Sequence, residues 1–98
     1  MDFKLKYTEA AENHLLDLKN DPSRHRIFKD VLKALGYMET NLRHPSLNTH
    51  EYHGLKGPRG EKVFEAYAQQ KTAGAYRIFW YYGPGSKIVS IIAILSHP

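Results

Sequence analysis

Apolar and polar residues alternate at the start of the chain, where Phe3, Leu5 and Tyr7 are interleaved with Asp2, Lys4 and Lys6. A period of two predicts a short strand with those three residues on one face. Thr8 is a suitable N-cap, with Glu9 and Glu12 in the turn that follows, where carboxylates complement the helix dipole. Ala11, Leu15 and Leu18 then recur at helical spacing, which predicts a helix from about residue 9 to residue 19. Asn20-Asp21-Pro22 breaks it, and Asp21 as N-cap with Pro22 in the first turn starts a second helix. Its stripe of Ile27, Val31, Leu35, Met38 and Leu42, widened by Phe28 and Leu32, carries it to about residue 42. Residues 43–60 keep no period and are dense in Gly, Pro, His and Asn, which predicts a long irregular connection. Glu61 to Gln69 alternates again, with Val63, Glu65, Tyr67 and Gln69 on one side. Ala75 to Tyr82, the turn Gly83-Pro84-Gly85-Ser86 and Lys87 to Leu95 read as a hairpin of aromatic and β-branched strands.

The expected order is therefore β-α-α-β-β-β. This is an α+β fold with an antiparallel helical hairpin on one face of a small, mostly antiparallel four-stranded sheet whose other face is open. At 98 residues the chain is expected to be a single domain spanning residues 1–98.

Composition narrows the chemistry. With no cysteine, disulfides, thiolate catalysis and Cys-based zinc sites are excluded, in keeping with a cytoplasmic protein. The longest wholly apolar run, Ile91 to Leu95, is far short of the roughly 20 residues of a membrane span. The N-terminus lacks the basic-then-apolar layout of a signal peptide, so no membrane partner is expected. A formal charge of +4 fits an anionic partner but is also ordinary for a soluble surface.

Arg77 is the one charge in the middle of the most aromatic strand, and a guanidinium is costly to bury without an anion. It either pairs with Glu65 on the neighbouring strand or faces a phosphate. Hairpin register decides what joins it. If Gly83, Pro84 and Gly85 form the loop, Tyr82 pairs with Ser86, and Arg77, Phe79, Tyr81, Lys87 and His97 share a face. That arrangement, or a bulge equivalent to it, is expected because it gathers Tyr76, Ile78, Trp80, Ile88, Ile92 and Ile94 as a helix-covered core. A four-residue loop would separate Arg77 from His97.

A second cluster is Gly54-Leu55-Lys56-Gly57-Pro58-Arg59-Gly60-Glu61-Lys62, whose glycines let the backbone approach a phosphate while Lys56, Arg59 and Lys62 meet its charge. The alternative is a solvated turn. His44, His50 and His53 with Glu51 lack a metal-binding pattern such as His-Glu-x-x-His, so no metal or cofactor is expected, and one of these histidines is a candidate general base. Arg77, His97, Lys56, Glu65 and His53 suffice for ribonucleolytic catalysis. The 2′-hydroxyl needs a base, the phosphate needs cations, and the leaving oxygen needs an acid. Lys62, Arg59, Tyr81 and Lys87 are the expected RNA contacts, with Tyr81 and Tyr67 available to stack bases.

The short first strand, the helical hairpin, Leu55-Lys56-Gly57, Tyr76-Arg77-Ile78 and an apolar last strand closing on His97 together resemble the RelE/ParE toxin superfamily of bacterial toxin-antitoxin systems. The resemblance runs in order over essentially the whole chain. For the RelE-like branch it implies an endoribonuclease that cuts messenger RNA in the ribosomal decoding site without metal. It also implies a cognate antitoxin that neutralises the toxin in a hetero-oligomer. Arg77 matches the arginine that contacts the scissile phosphate, Lys56 and Lys62 match the basic residues after the helical hairpin, and His97 matches the terminal histidine or arginine. RelE carries a catalytic tyrosine after its last strand, where this sequence has His97-Pro98. The ParE-like branch uses the same fold to poison DNA gyrase, and a relative that only binds a partner is the third reading.

Overall fold

Thr8 begins the first helix as its spacing predicts: its Oγ1 accepts from Ala11 N at 3.1 Å and leaves the helix a closed first turn. The computed structural model describes residues 2–97, so Met1 and Pro98 lie outside it. Along the chain run β1 (Lys4–Tyr7), α1 (Glu9–Lys19), a 3-10 turn (Pro22–Arg24), α2 (His25–Thr40), a second 3-10 turn (Pro45–Leu47), β2 (His50–Lys56), β3 (Lys62–Tyr67), β4 (Tyr76–Tyr82) and β5 (Ile88–Ser96). The described strands form one five-stranded sheet in the order β1-β5-β4-β3-β2, with β1 parallel to β5 and every other pair antiparallel.

The sheet is thus mixed and has one strand more than the four expected. The extra strand is β2, inside the stretch read as irregular. It lies at the sheet edge with little of it buried, so its sequence carries no two-residue apolar alternation. α2 is shorter than expected at both ends. Asp21 draws Ser23 N, Ser23 Oγ and Arg24 Nε onto its carboxylate, which tightens the first turn to 3-10 geometry. Asn41 leaves helical conformation at φ −153°, although Leu42 still packs on the core.

Ala11, Leu18, Val31, Ala34, Leu35 and Met38 of the helices meet Ala66, Ile78, Trp80, Val89, Ile91 and Ile94 of the sheet. The hairpin reaches this core by two departures from the simplest register, and they cancel. The turn is longer than three residues: Tyr82 pairs with Val89, and Gly83 N donates to Ile88 O at 2.8 Å. Gly83, Gly85 and Lys87 all take positive φ there, as that turn demands. Further along, Phe79 pairs with Ala93 but Trp80 with Ile91, so Ile92 is a one-residue bulge that restores the original parity. Val89 and Ile91 consequently enter the core, while the expected Ile88 and Ile92 remain half-buried.

The face away from the helices is not open. Val63, Glu65, Arg77, Phe79 and Tyr81 on it are all buried, and Tyr52 of β2 covers Phe79 with ring centroids 5.0 Å apart. No helix among the described residues is long and apolar enough to cross a membrane.

Candidate functional site

Arg77 sits in β4 opposite Tyr67 of β3 and Leu95 of β5. Its guanidinium lies 3.6 Å above the Tyr67 ring, and Nη1 donates to Gln69 O at 2.7 Å and Tyr76 O at 3.3 Å. Nε faces Glu65 Oε2 at 3.9 Å and is a buried donor without a hydrogen-bond partner. The two readings of Arg77 therefore meet in one place: the strand pairs it with Glu65, yet leaves a donor unsatisfied beside the carboxylate.

Glu65, only 2% exposed, is the hub. Register places His50 of β2 directly opposite it, and His50 Nε2 lies 2.8 Å from Oε1. At the end of β5, His97 N donates to Ala75 O, which extends the pairing beyond Ser96 and keeps the imidazole on the Arg77 face. His97 Nδ1 lies 3.0 Å from Glu65 Oε2. Three basic side chains, from β2, β4 and the end of β5, thus converge on the buried carboxylate of β3.

Hydrogen-bond roles separate the two histidines. His50 Nδ1 lies 2.9 Å from Asn48 O, and a carbonyl only accepts, so Nδ1 carries a proton. Its Nε2 is engaged by Glu65 whichever partner holds the proton between them, so neither ring nitrogen of His50 is free. Asn48 presents that carbonyl from a left-handed conformation, φ 45°, that closes the second 3-10 turn. His97 uses only Nδ1, leaving Nε2 without a partner among the described residues on a side chain 45% exposed. A carboxylate on Nδ1 and an open Nε2 is an arrangement suited to proton transfer at Nε2.

The other residues singled out in the sequence lie elsewhere. His53, three positions beyond His50, is 81% exposed and faces Glu51 at 3.5 Å, away from Glu65. Lys56 pairs with Lys62 at the far end of the β2–β3 hairpin, about 10 Å along the strand from Glu65. Strand alternation puts Lys62 on the opposite face, with Phe64 and Ala66. Lys56 and Lys62 therefore form a group separate from Arg77 and His97. Arg59 turns inward onto its own loop: its N–H donates to Glu61 Oε1 at 2.7 Å, and its Nη1 lies 3.6 Å from Oε2. The Arg59 N–H above all holds the Glu61 carboxyl below its ordinary range. The N–H groups of Gly57 and Gly60 are also occupied, by Glu61 O at 2.9 Å and Gly57 O at 3.0 Å.

Tyr81 is 6% exposed, so its ring is core and not a stacking surface. Tyr67 is half-buried and has one face covered by Arg77. Lys87 lies in the turn beyond Tyr82, at least about 17 Å along the strand from Arg77. Of the three histidines that the sequence offers as a general base, His50 and not His53 joins the site. Only pairing of residue 50 with residue 65 distinguishes it from His53, and an edge strand of polar residues conceals that pairing. No group of three or more His, Cys, Asp or Glu among the described residues is arranged to hold a metal ion.

Two helices packed on a five-stranded sheet of order β1-β5-β4-β3-β2 make a fold that this chain shares with solved RelE- and ParE-type toxins. Solved structures agree over nearly the full chain. The archaeal RelE-RelB complex from Pyrococcus horikoshii OT3 matches with a TM-score of 0.65 at 13% identity, covering 98% of this chain and 96% of that one. The YoeB/ParE toxin from Agrobacterium tumefaciens matches at 0.69 and 10% identity, covering 98% and 100%. The Escherichia coli DinJ-YafQ toxin-antitoxin complex matches at 0.68 and 9% identity, covering 99% and 94%. No protein-family model and no curated protein sequence matches the chain.

Proposed function

We propose that this protein is the toxin of a toxin-antitoxin pair and acts in the cytoplasm as a metal-independent endoribonuclease that cuts messenger RNA on the ribosome. The observation that carries the reading is the convergence of Arg77, His50 and His97 on Glu65, with His97 Nε2 left free. In the proposed reaction the 2′-oxygen forms a bond to phosphorus while the bond from phosphorus to the 5′-oxygen breaks. One proton leaves the 2′-hydroxyl and one reaches the leaving oxygen, giving a 2′,3′-cyclic phosphate and a 5′-hydroxyl. His97 Nε2 is the proton-transfer atom, and such a group contributes about 10²–10⁴ in rate. Glu65 is a positioning residue that holds the His97 ring by Nδ1, and it is too deeply buried to meet substrate itself. Arg77, buried with Nη1 held by two backbone carbonyls, supplies positive charge to the phosphate through space and not by direct contact.

One free imidazole nitrogen covers one of the two proton transfers. On this reading the ribosomal decoding site supplies the other, which makes cleavage depend on the ribosome. The partner that silences the toxin is a small acidic antitoxin encoded beside it, in keeping with the toxin-antitoxin complexes among the structural neighbours. Inducing the protein in growing cells and mapping message ends and chromosome breaks together is the test. Cuts within translated frames support the reading, and gyrase-dependent DNA breaks with intact messages would replace it with the ParE-like activity. A chain that is harmless without any antitoxin would leave only a binding role.

A further inference from the structure

A second concave surface backs onto the candidate site. It is a cleft of about 520 Å³ between α2 and the segment that follows β3, and Tyr67 and Gln69 form one of its walls. Those same residues anchor Arg77, Tyr67 through its ring and Gln69 through its backbone carbonyl. The cleft therefore begins where the Arg77 site ends and continues around the end of the sheet towards the helices.

Its charge is mostly positive. Arg26 and Lys33 project into it from α2, and Lys71 faces them from the β3–β4 connection. All three are exposed, and none has a carboxylate within ion-pair distance among the described residues. The single carboxylate in the cleft, Asp30, already accepts from Gln69 Nε2 at 3.1 Å. That bond joins the two walls, and Gln70 Nε2, donating to Ser46 O at 2.7 Å, ties the connection down further. The cations are thus carried on braced backbone, three positive charges against the single Asp30 carboxylate.

We infer that this cleft binds the phosphate backbone of single-stranded RNA flanking the cut site. The inference rests on the ribonuclease reading above. RNA is favoured over a protein segment because the cleft offers cations and amides, while the exposed apolar side chains that would anchor a protein, Leu16 and Leu32, line a different groove with Tyr7 and Phe28. Contacts of this kind position a strand without reading its bases, so affinity should be insensitive to sequence and strongly dependent on salt.

The test uses the full chain and short single-stranded RNAs of unrelated sequence, 2′-O-methylated so that they cannot be cut, with binding followed by fluorescence anisotropy. The variant combines Arg26→Gln, Lys33→Gln and Lys71→Gln, and its melting temperature confirms folding. Removing three phosphate contacts should lower the slope of log affinity against log salt by about 2, so that between 50 and 200 mM salt the wild type loses about 20-fold more affinity than the variant. The loss should be alike for every sequence. A variant with wild-type affinity and slope overturns the inference, as does a wild-type chain that binds no such RNA. Cleavage of ribosome-bound message by the same preparation reports separately on the ribonuclease reading, so failure of the cleft and failure of that reading are told apart. A variant that keeps RNA binding but loses an acidic protein partner assigns the cleft to protein and also overturns it.

Discussion

Replacing Glu65 by glutamine keeps the shape of a side chain that is 2% exposed and removes its charge, leaving Arg77 with no carboxylate at 3.9 Å. At that separation the attraction is about 4 kcal/mol for an effective dielectric near 20, and desolvation of both groups offsets much of it. Arg77 retains its two carbonyl bonds and the Tyr67 ring, so Glu65→Gln should cost about 3 kcal/mol, the lower end for breaking a buried pair. For a domain of this size that is a fall in melting temperature of about 12–24 °C. Arg77→Gln should cost a similar amount, because it leaves Glu65 buried without its cation. The double variant, which buries neither charge, should be more stable than the sum of the single effects implies, with a coupling of about 2 kcal/mol. Urea unfolding at pH 7 of the four proteins measures it. Single effects that add to within about 0.5 kcal/mol would refute the account of Glu65 as a shared hub.

Three further outcomes follow from the same geometry. His97→Gln should lower RNA cleavage by about 10²–10⁴ with little change in stability, whereas His53→Gln should leave both unchanged; equal losses in the two variants would show that proton transfer is not confined to His97. Thr8→Ala should cost about 1 kcal/mol in chemical denaturation, because Oγ1 both caps α1 and donates to Ile92 O at the bulge, 3.3 Å away. The Asp21 carboxyl is held below its ordinary value by the Ser23 hydroxyl first and the Arg24 guanidinium next. It therefore adds stability above the unfolded value near 3.9, and this is lost as pH falls through the lower folded value. Asp21→Asn should melt below wild type at pH 7, and the gap should close under acid; a gap constant from pH 7 to pH 2 would remove the ion-pair explanation.

Much of the fold is legible because its periodic segments are also its buried ones. Ala11 and Leu18, then Val31, Leu35 and Met38, announce two helices, and Val63 to Tyr67 and Tyr76 to Tyr82 announce two strands by the faces they bury. β2 escapes because an edge strand with polar side chains on both faces has no apolar period to read. The Ile92 bulge escapes because nothing local marks it, although the requirement that Trp80 and Ile78 share the core implies some such correction. At the site, Arg77 and Glu65 are recoverable from strand parity, and His97 joins them only with a three-residue turn or a bulge equivalent to it. His50 is not, since choosing it over His53 needs the β2–β3 register. The basic loop is ambiguous in sequence for a different reason. Charge density around Lys56 and Arg59 is visible in sequence, but the capture of the Arg59 N–H by Glu61 is a matter of turn geometry.

The central claim is that one imidazole, oriented by Glu65, cleaves RNA through its own 2′-hydroxyl. Purified ribosomes programmed with a defined message, with and without a single 2′-deoxynucleotide at the cut position, test it most directly. The account predicts products ending in a 2′,3′-cyclic phosphate and a 5′-hydroxyl, none at the deoxy position, and none with His97→Gln. Products ending in a 3′-hydroxyl and a 5′-phosphate, or cleavage that persists at the deoxy position, would contradict it.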